Sequence, residues 1–325
     1  MSVTIYDVAR EANVSMATVS RVINGTAVVK EETKKRVQDA IERLGYRPNA
    51  VARGLASKRT RTIGVIVPDV STAFVAEIVR GIEDIANMYN YHIILTNSDA
   101  DTHREVSLIG TMWEKQVDGI LYMTNILNQE HITAFEQAEI PVVLCATEDP
   151  EKRIPSVNID NRKAGSDAAN YLEKKSCQNI AIVSPDIGTS LIADHRIEGV
   201  RKKLGNKCTF IHVGKGKYEQ ALPILRNIFQ NKNYDGVIAM SDELGLASVH
   251  AIHDNGFQVP HDVRIIAFDN TRLATMVRPE LTVIAQPMYD FGAVSMRLLT
   301  KMLLDEPVDT YNVILQHNII ERQSS

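Results

Sequence analysis

The chain has 325 residues, 44% hydrophobic and 23% charged, which suits a folded protein of two or three units and excludes wholesale disorder. No apolar run approaches the ~18 residues of a membrane span. The net charge of −4 divides unevenly: residues 1–61 hold 12 Lys+Arg against 6 Asp+Glu, and the other 264 hold 24 against 34, so a head of +6 precedes a body of −10.

Thr4-Ile5-Tyr6-Asp7 is a capping-box pattern, in which a Thr oxygen accepts an early N–H and the acid three residues on reaches back. Ile5, Val8, Ala9 and Ala12 then recur at helical spacing. Asn13-Val14 interrupts the pattern, and Ser15 can cap a second helix that buries or half-buries Met16, Val19, Val22 and Ile23 and ends at Gly25. A third helix through Val37, Ala40, Ile41 and Leu44 stops at Gly45. Two short helices joined by a tight turn and buttressed by a third make the helix-turn-helix plan.

A small helical bundle without a DNA role is the alternative. Against it stands the outward face of the second helix, where Ala17, Thr18, Ser20 and Arg21 are small, hydroxylated or basic and permit close approach to a major groove. Arg21 can bond guanine O6/N7 bidentately, and Tyr6, Ser15, Thr18, Ser20, Asn24 and Tyr46 are candidate phosphate contacts. Thr4 and Met16 join this DNA-binding set.

Thr4-Ile5-Tyr6-Asp7-Val8-Ala9 with Val14-Ser15-Met16-Ala17-Thr18-Val19-Ser20-Arg21-Val22 resembles the head of the lactose/galactose repressor family, and Arg47-Pro48-Asn49-Ala50-Val51-Ala52-Arg53-Gly54-Leu55 resembles its hinge. The likeness runs the full chain. Phe268-Asp269-Asn270-Thr271-Arg272-Leu273 and Gln286-Pro287-Met288-Tyr289-Asp290 are similar to a subgroup that governs carbon catabolite repression. The resemblance implies a homodimer on double-stranded operator DNA. It also implies a hinge helix that folds only when paired on DNA, with Asn49 and Ala52 at the duplex and Leu55 wedged into the minor groove. From the residues alone, this stretch reads rather as a flexible linker with a buried leucine.

From Thr62 apolar runs alternate with amphipathic helices. Strands are expected at Ile63–Val67, His92–Thr96, Ile120–Met123, Val142–Cys145, Ile180–Ser184, Phe210–Val213, Val237–Met240 and Arg264–Phe268, with helices at 74–89, 103–115, 161–175 and 217–230. That is α/β architecture, with a doubly wound body of two lobes about a cleft. By resemblance to periplasmic binding proteins, the chain crosses between lobes near 158–160, 285–287 and 314–317. The expected domains are a head at 1–47, a hinge and linker at 48–60, an N-terminal lobe of 61–159 plus 287–315, and a C-terminal lobe of 160–286 plus 316–325.

No nucleophile-elbow, phosphate-loop, dinucleotide or zinc-protease motif appears, so no enzyme activity, metal or cofactor is expected. Cys145, Cys177 and Cys208 form no C-x-x-C pair, and Met1–Asp7 has no signal-peptide pattern; both suit a reducing cytoplasm. Asp69 and Ser71, Asp242, and Asp269 fall at strand ends, where carboxylates suit sugar hydroxyls, although Asp242 reads more simply as a helix cap. By resemblance, Arg196 matches an effector-contacting position at which the subgroup tends to carry Lys, which leaves a sugar-phosphate effector open.

The resemblance further implies Ser-phosphorylated HPr as corepressor, docking on Tyr289, Asp290, Ala293, Arg297 and Lys301. These positions lie close to one helix face, which alone would suit ordinary solvated surface. The subgroup places an arginine after His317, where this chain has Asn318. That departure implies weaker HPr binding, reliance on Arg297, or a different effector. A regulator answering only to a small sugar or sugar phosphate is the second reading. A cytoplasmic sugar-binding protein or enzyme with an accessory head is the third.

Overall fold

A computed structural model describes residues 3–24, 29–46, 59–231 and 233–325, without the side chains of Asn24 and Asn206. Two compact units emerge, Met1–Thr60 and Arg61–Ser325.

In the first, α1 (Ile5–Glu11), α2 (Met16–Asn24) and α3 (Glu31–Leu44) enclose Val8, Ala9, Ala12, Val19, Val37 and Ala40. The acid half of the capping box is in place: Thr4 N–H donates to Asp7 Oδ2 at 3.0 Å. The turn between α1 and α2 is made at Asn13, whose φ of 52° lies in the left-handed region that Asn tolerates, and Val14 N–H returns to Ala9 O at 3.0 Å. Ser15 Oγ caps α2 by accepting from Thr18 N–H at 3.2 Å. Gly45, at φ 61°, ends α3 as expected. Met16 departs from expectation: it is 40% exposed, because it opens α2 on the side away from α1 and α3, whose shared core takes Val19.

The body holds two six-stranded sheets. The first comprises β1 (Thr62–Val67), β2 (His92–Asn97), β3 (Gly119–Tyr122), β4 (Val142–Cys145), β5 (Ser156–Ile159) and β11 (Asn312–Leu315), in the order β11-β5-β4-β3-β1-β2 and all parallel. The second comprises β6 (Ile180–Ser184), β7 (Cys208–His212), β8 (Gly236–Ala239), β9 (Arg264–Asp269), β10 (Thr282–Ala285) and β12 (Asn318–Ile320), in the order β12-β10-β9-β8-β6-β7. Only β12 runs antiparallel, against β10. Parallel strands buried on both faces read as unbroken apolar runs, which is why β1, β4, β6 and β8 are visible in the sequence.

The connecting helices are α4 (Ala73–Met88), α5 (Thr102–Glu114), α6 (Gln129–Ala138), α7 (Asn161–Lys174), α8 (Leu191–Leu204), α9 (Tyr218–Ile228), α10 (Asp242–Asp254), α11 (Arg272–Met276) and α12 (Met288–Leu303). The chain passes between sheets after β5, after β10 and after β11. Helices α4 and α12 meet at two glycines: a Cβ on Gly81 would lie 2.1 Å from Tyr289 O, and one on Gly292 would lie 1.9 Å from Ile78 O. Only glycine permits that contact, and it fixes which side of α12 turns outward.

Candidate nucleic-acid interface, cleft and docking face

The head presents a polar face built largely from one short segment. Thr4, Tyr6, Ser15, Met16, Ala17 and Arg21 are exposed, Tyr6 at 64%, whereas Thr18, Ser20 and Tyr46 are half-buried. The Ser15 and Thr18 hydroxyls lie 2.9 Å apart, so the N-terminal turn of α2 offers two mutually ordered hydroxyls beside the amides of a helix start, a natural seat for a phosphate. Arg21 extends from the last turn of the same helix. The side chain of Asn24, together with Asn49, Ala52 and Leu55, lies outside the described residues.

In the body, three of the expected cleft residues meet. Arg196 of α8, Asp242 at the start of α10 and Asp269 at the end of β9 are 5%, 3% and 7% exposed. The Arg196 guanidinium lies 4.3 Å over the Phe268 ring, and its Nη1 sits 3.9 Å from Asp269 Oδ1. Burial pulls Arg196 down to about 10, so it remains charged at neutral pH. Burial, then the nearby Asp242 carboxylate, pushes Asp269 up to about 7, and burial raises Asp242 as well. Asp242 is not the helix cap. Ser241 holds that position, accepting from Leu244 N–H at 3.2 Å, while Asp242 Oδ2 accepts from Thr271 N–H at 2.7 Å. The preceding serine has the extended backbone that a cap needs, which frees Asp242 to face β9's end.

Asp69 and Ser71 stand apart on the rim. Asp69 is lowered chiefly by its bonds from Ser71, and it also pairs with Lys217 Nζ at 3.2 Å. Two further contacts bridge the lobes: His195 Nδ1 lies 2.9 Å from Glu148 Oε1, and Leu191 N–H donates to Asn125 O at 2.9 Å.

The face of α12 carries Tyr289, Asp290 and Arg297 exposed, with Ala293 and Lys301 half-buried. Tyr289 Oη donates to Asp84 Oδ2 of α4 at 3.1 Å, and Arg80 Nε lies 3.5 Å from the other Asp84 oxygen. Lys301 Nζ donates to Pro307 O at 3.4 Å. Asn318 is exposed on β12 and aligned with Ala285, while the neighbouring His317 is held by Asp167 at 2.9 Å.

Comparisons with known proteins bear on both units. Residues 4–49 match the model of bacterial regulatory proteins of the lacI family, and residues 63–307 match a periplasmic binding protein domain. Catabolite control protein A of Priestia megaterium is 47% identical over the full length of both chains. The protein of that name from Staphylococcus epidermidis is 44% identical over 98% of each. This chain belongs to the LacI family.

Among solved LacI-family structures, the transcription regulator CcpA of Lactococcus lactis superposes with a TM-score of 0.74 at 34% identity, covering 81% of this chain and 98% of that one. The lac repressor dimer bound to operator and an anti-inducer gives 0.90 over 100% and 99%, but its 22% identity speaks to the fold alone. The chain is therefore a DNA-binding transcription regulator most like catabolite control protein A, as the head and α12 segments imply. Among the described residues no helix is long and apolar enough to cross a membrane. Sequence reasoning missed Asn161, Gln286, Glu148 and Asp84, because each gains meaning only from a partner at least 17 residues away.

Proposed function

We propose that this regulator works as a homodimer whose two heads read the halves of a two-fold operator, with Ser-phosphorylated HPr as corepressor on the α12 face. The observation that carries the corepressor reading is Arg297, exposed on the helix that Gly81 and Gly292 lock against α4, with Tyr289 already oriented by Asp84. A guanidinium so placed can grip a phosphoserine bidentately, and Tyr289 adds an aromatic anchor. Asn318 supplies no charge, so Arg297 and Lys301 carry the phosphate contact and the grip is weaker than two arginines would give. In the head, Arg21 reads bases, the α2 hydroxyls and Tyr6 set register on phosphates, and Leu55 of the hinge wedges the operator centre. The body binds and transmits rather than catalyses, and the protein works in the cytoplasm.

The deciding experiment titrates phosphorylated and unphosphorylated HPr against the chain on labelled operator DNA, read by fluorescence anisotropy. Tightening by the phosphorylated form alone is expected; no tightening by it removes the corepressor assignment. The buried meeting of Arg196, Asp242 and Asp269 favours a second reading, a small sugar or sugar phosphate in the cleft. Operator tightening by such a compound without HPr would select it.

A further inference from the structure

We propose that Glu105 is a positioning residue for closure of the cleft: the buried cluster it centres holds residues 124–128 of the N-terminal lobe where they cap helix α8 of the other lobe. Asp101 caps α5, its Oδ1 accepting from Arg104 N–H at 2.8 Å, and so sets Glu105 in the first turn, where the helix dipole favours a carboxylate. Ser98 Oγ donates to Glu105 Oε1 at 3.1 Å. At the other oxygen stand His131 Nε2 at 2.7 Å and Thr124 Oγ1 at 3.2 Å. Asn128 N–H donates to His131 Nδ1 at 3.2 Å, so the ring proton sits on Nε2 and is given to Glu105. All four side chains, Ser98, Glu105, Thr124 and His131, are at most 7% exposed.

The cluster grips both ends of one loop. At Thr124, just after β3, the hydroxyl has one proton for two acceptors, Glu105 Oε2 and Ile126 O at 3.0 Å, and it accepts from Ile126 N–H at 3.3 Å. At Asn128 the backbone N–H is held by His131, while Oδ1 caps α6 by accepting from Glu130 and His131 N–H at 3.0 and 3.3 Å. The Tyr122 ring packs 5.9 Å from that of His131, but its buried hydroxyl has no hydrogen-bond partner and lends the loop nothing. Between the two anchors Asn125 is exposed, and its carbonyl accepts from Leu191 N–H across the cleft at 2.9 Å. Leu191 opens α8, and its N–H is one of the donors that a helix start leaves unpaired; the cap residue Ser190 takes only that of Ala193, at 3.3 Å. One lobe thus completes a helix of the other, the helix that carries His195 to Glu148 and Arg196 to the cleft floor. A loop released by Glu105 surrenders that bond and lets the mouth of the cleft open.

The inference holds whichever ligand fills the cleft. Amide hydrogen exchange in the full chain, read by mass spectrometry at single-residue resolution, follows the Leu191 N–H directly. Glu105→Leu removes both acceptor oxygens, and Leu191 should then exchange about tenfold faster, the scale of a buried hydrogen bond left unmade. Glu105→Gln keeps an acceptor for His131 and can turn its amide towards Ser98 Oγ, so exchange at Leu191 should return close to wild type. Circular dichroism confirms folding, and Thr124→Val, which frees only the β3 end of the loop, should speed the same amide and carries the test if Glu105→Leu does not fold. Amides of β6 and β8, in the lobe of Leu191, should keep their wild-type rates. A role confined to packing would speed exchange in α5 and α6 alone, so an unchanged Leu191 overturns the proposal. Equal acceleration in β6 and β8, or Glu105→Gln exchanging as fast as Glu105→Leu, overturns it as well.

Discussion

The face of the head and the floor of the cleft solve opposite problems. On the head, the described candidate contacts are exposed or half-buried and concentrated within α2 and its cap, and where they pair, as Ser15 does with Thr18, they pair within one turn. In the cleft, charged groups from α8, α10 and β9 are buried together, and the state of each depends on the others. An exposed face keeps its groups near their ordinary chemistry and offers them to an outside partner. A buried cluster alters that chemistry, because each group is held by the others before it meets any partner.

The largest effect that would break this contrast belongs to Asp269. Burial and the Asp242 carboxylate raise it from an ordinary 3.8 to about 7. The folded body therefore keeps a proton that the unfolded chain releases above pH ~4. This group's contribution to stability is fully present below that pH and is lost as pH rises through about 7. Asp269→Asn cannot titrate yet still accepts from Gln286. Denaturant midpoints between pH 4 and 8 should show wild type losing stability relative to this variant as pH rises; parallel curves would place Asp269 among ordinary surface acids. Next in size, Arg21→Ala should weaken specific operator binding by about 1–3 kcal/mol while leaving non-specific binding nearly unchanged. Equal losses on both DNAs would make it a phosphate contact only.

The same contrast decides what could be read before folding. The head was legible because helix caps, turn residues and the outward face are local: Ser15 caps three residues ahead, and Asn13 turns the chain where it stands. The expected strands β1 to β4 and β6 to β9 were legible as apolar runs. Strands β5, β10, β11 and β12 were not: Ser156 and Asn158 break any apolar reading of β5, and β12 is only three residues long. Asp269 was legible as a candidate at a strand end, and Arg196 only through the family resemblance. Their partners were not, since residues 161, 196, 240, 269 and 286 meet only through the topology of the second sheet.

A smaller effect sharpens the local half of the comparison. Ser15→Ala removes the acceptor for Thr18 N–H and should cost the head about 1 kcal/mol, the usual loss for a helix cap. Thermal unfolding followed by circular dichroism would detect it. Ser15→Asp, which can also cap, should restore stability while placing a negative charge where a phosphate would sit, so operator affinity should fall even as the helix recovers. Recovery of both together would mean that Ser15 serves the helix alone and stands clear of the DNA.

The smallest effect is expected at the cleft rim, where charges pair as they do on the head's surface rather than on the cleft floor. Lys217 and Asp69 remain 42% and 35% exposed at the side chain, so water screens their 3.2 Å contact, and Lys217→Met should shift the denaturant midpoint by well under ~1 kcal/mol. The pair nevertheless joins the two lobes, and its contribution should fade as added salt screens it. Wild type should therefore lose the difference from Lys217→Met between low and high salt, whereas the difference from Asp269→Asn should persist, because that carboxylate is walled off from the counterions. A rim variant whose deficit survived high salt would place Lys217 with the buried groups and erase the distinction between the two layers of the cleft.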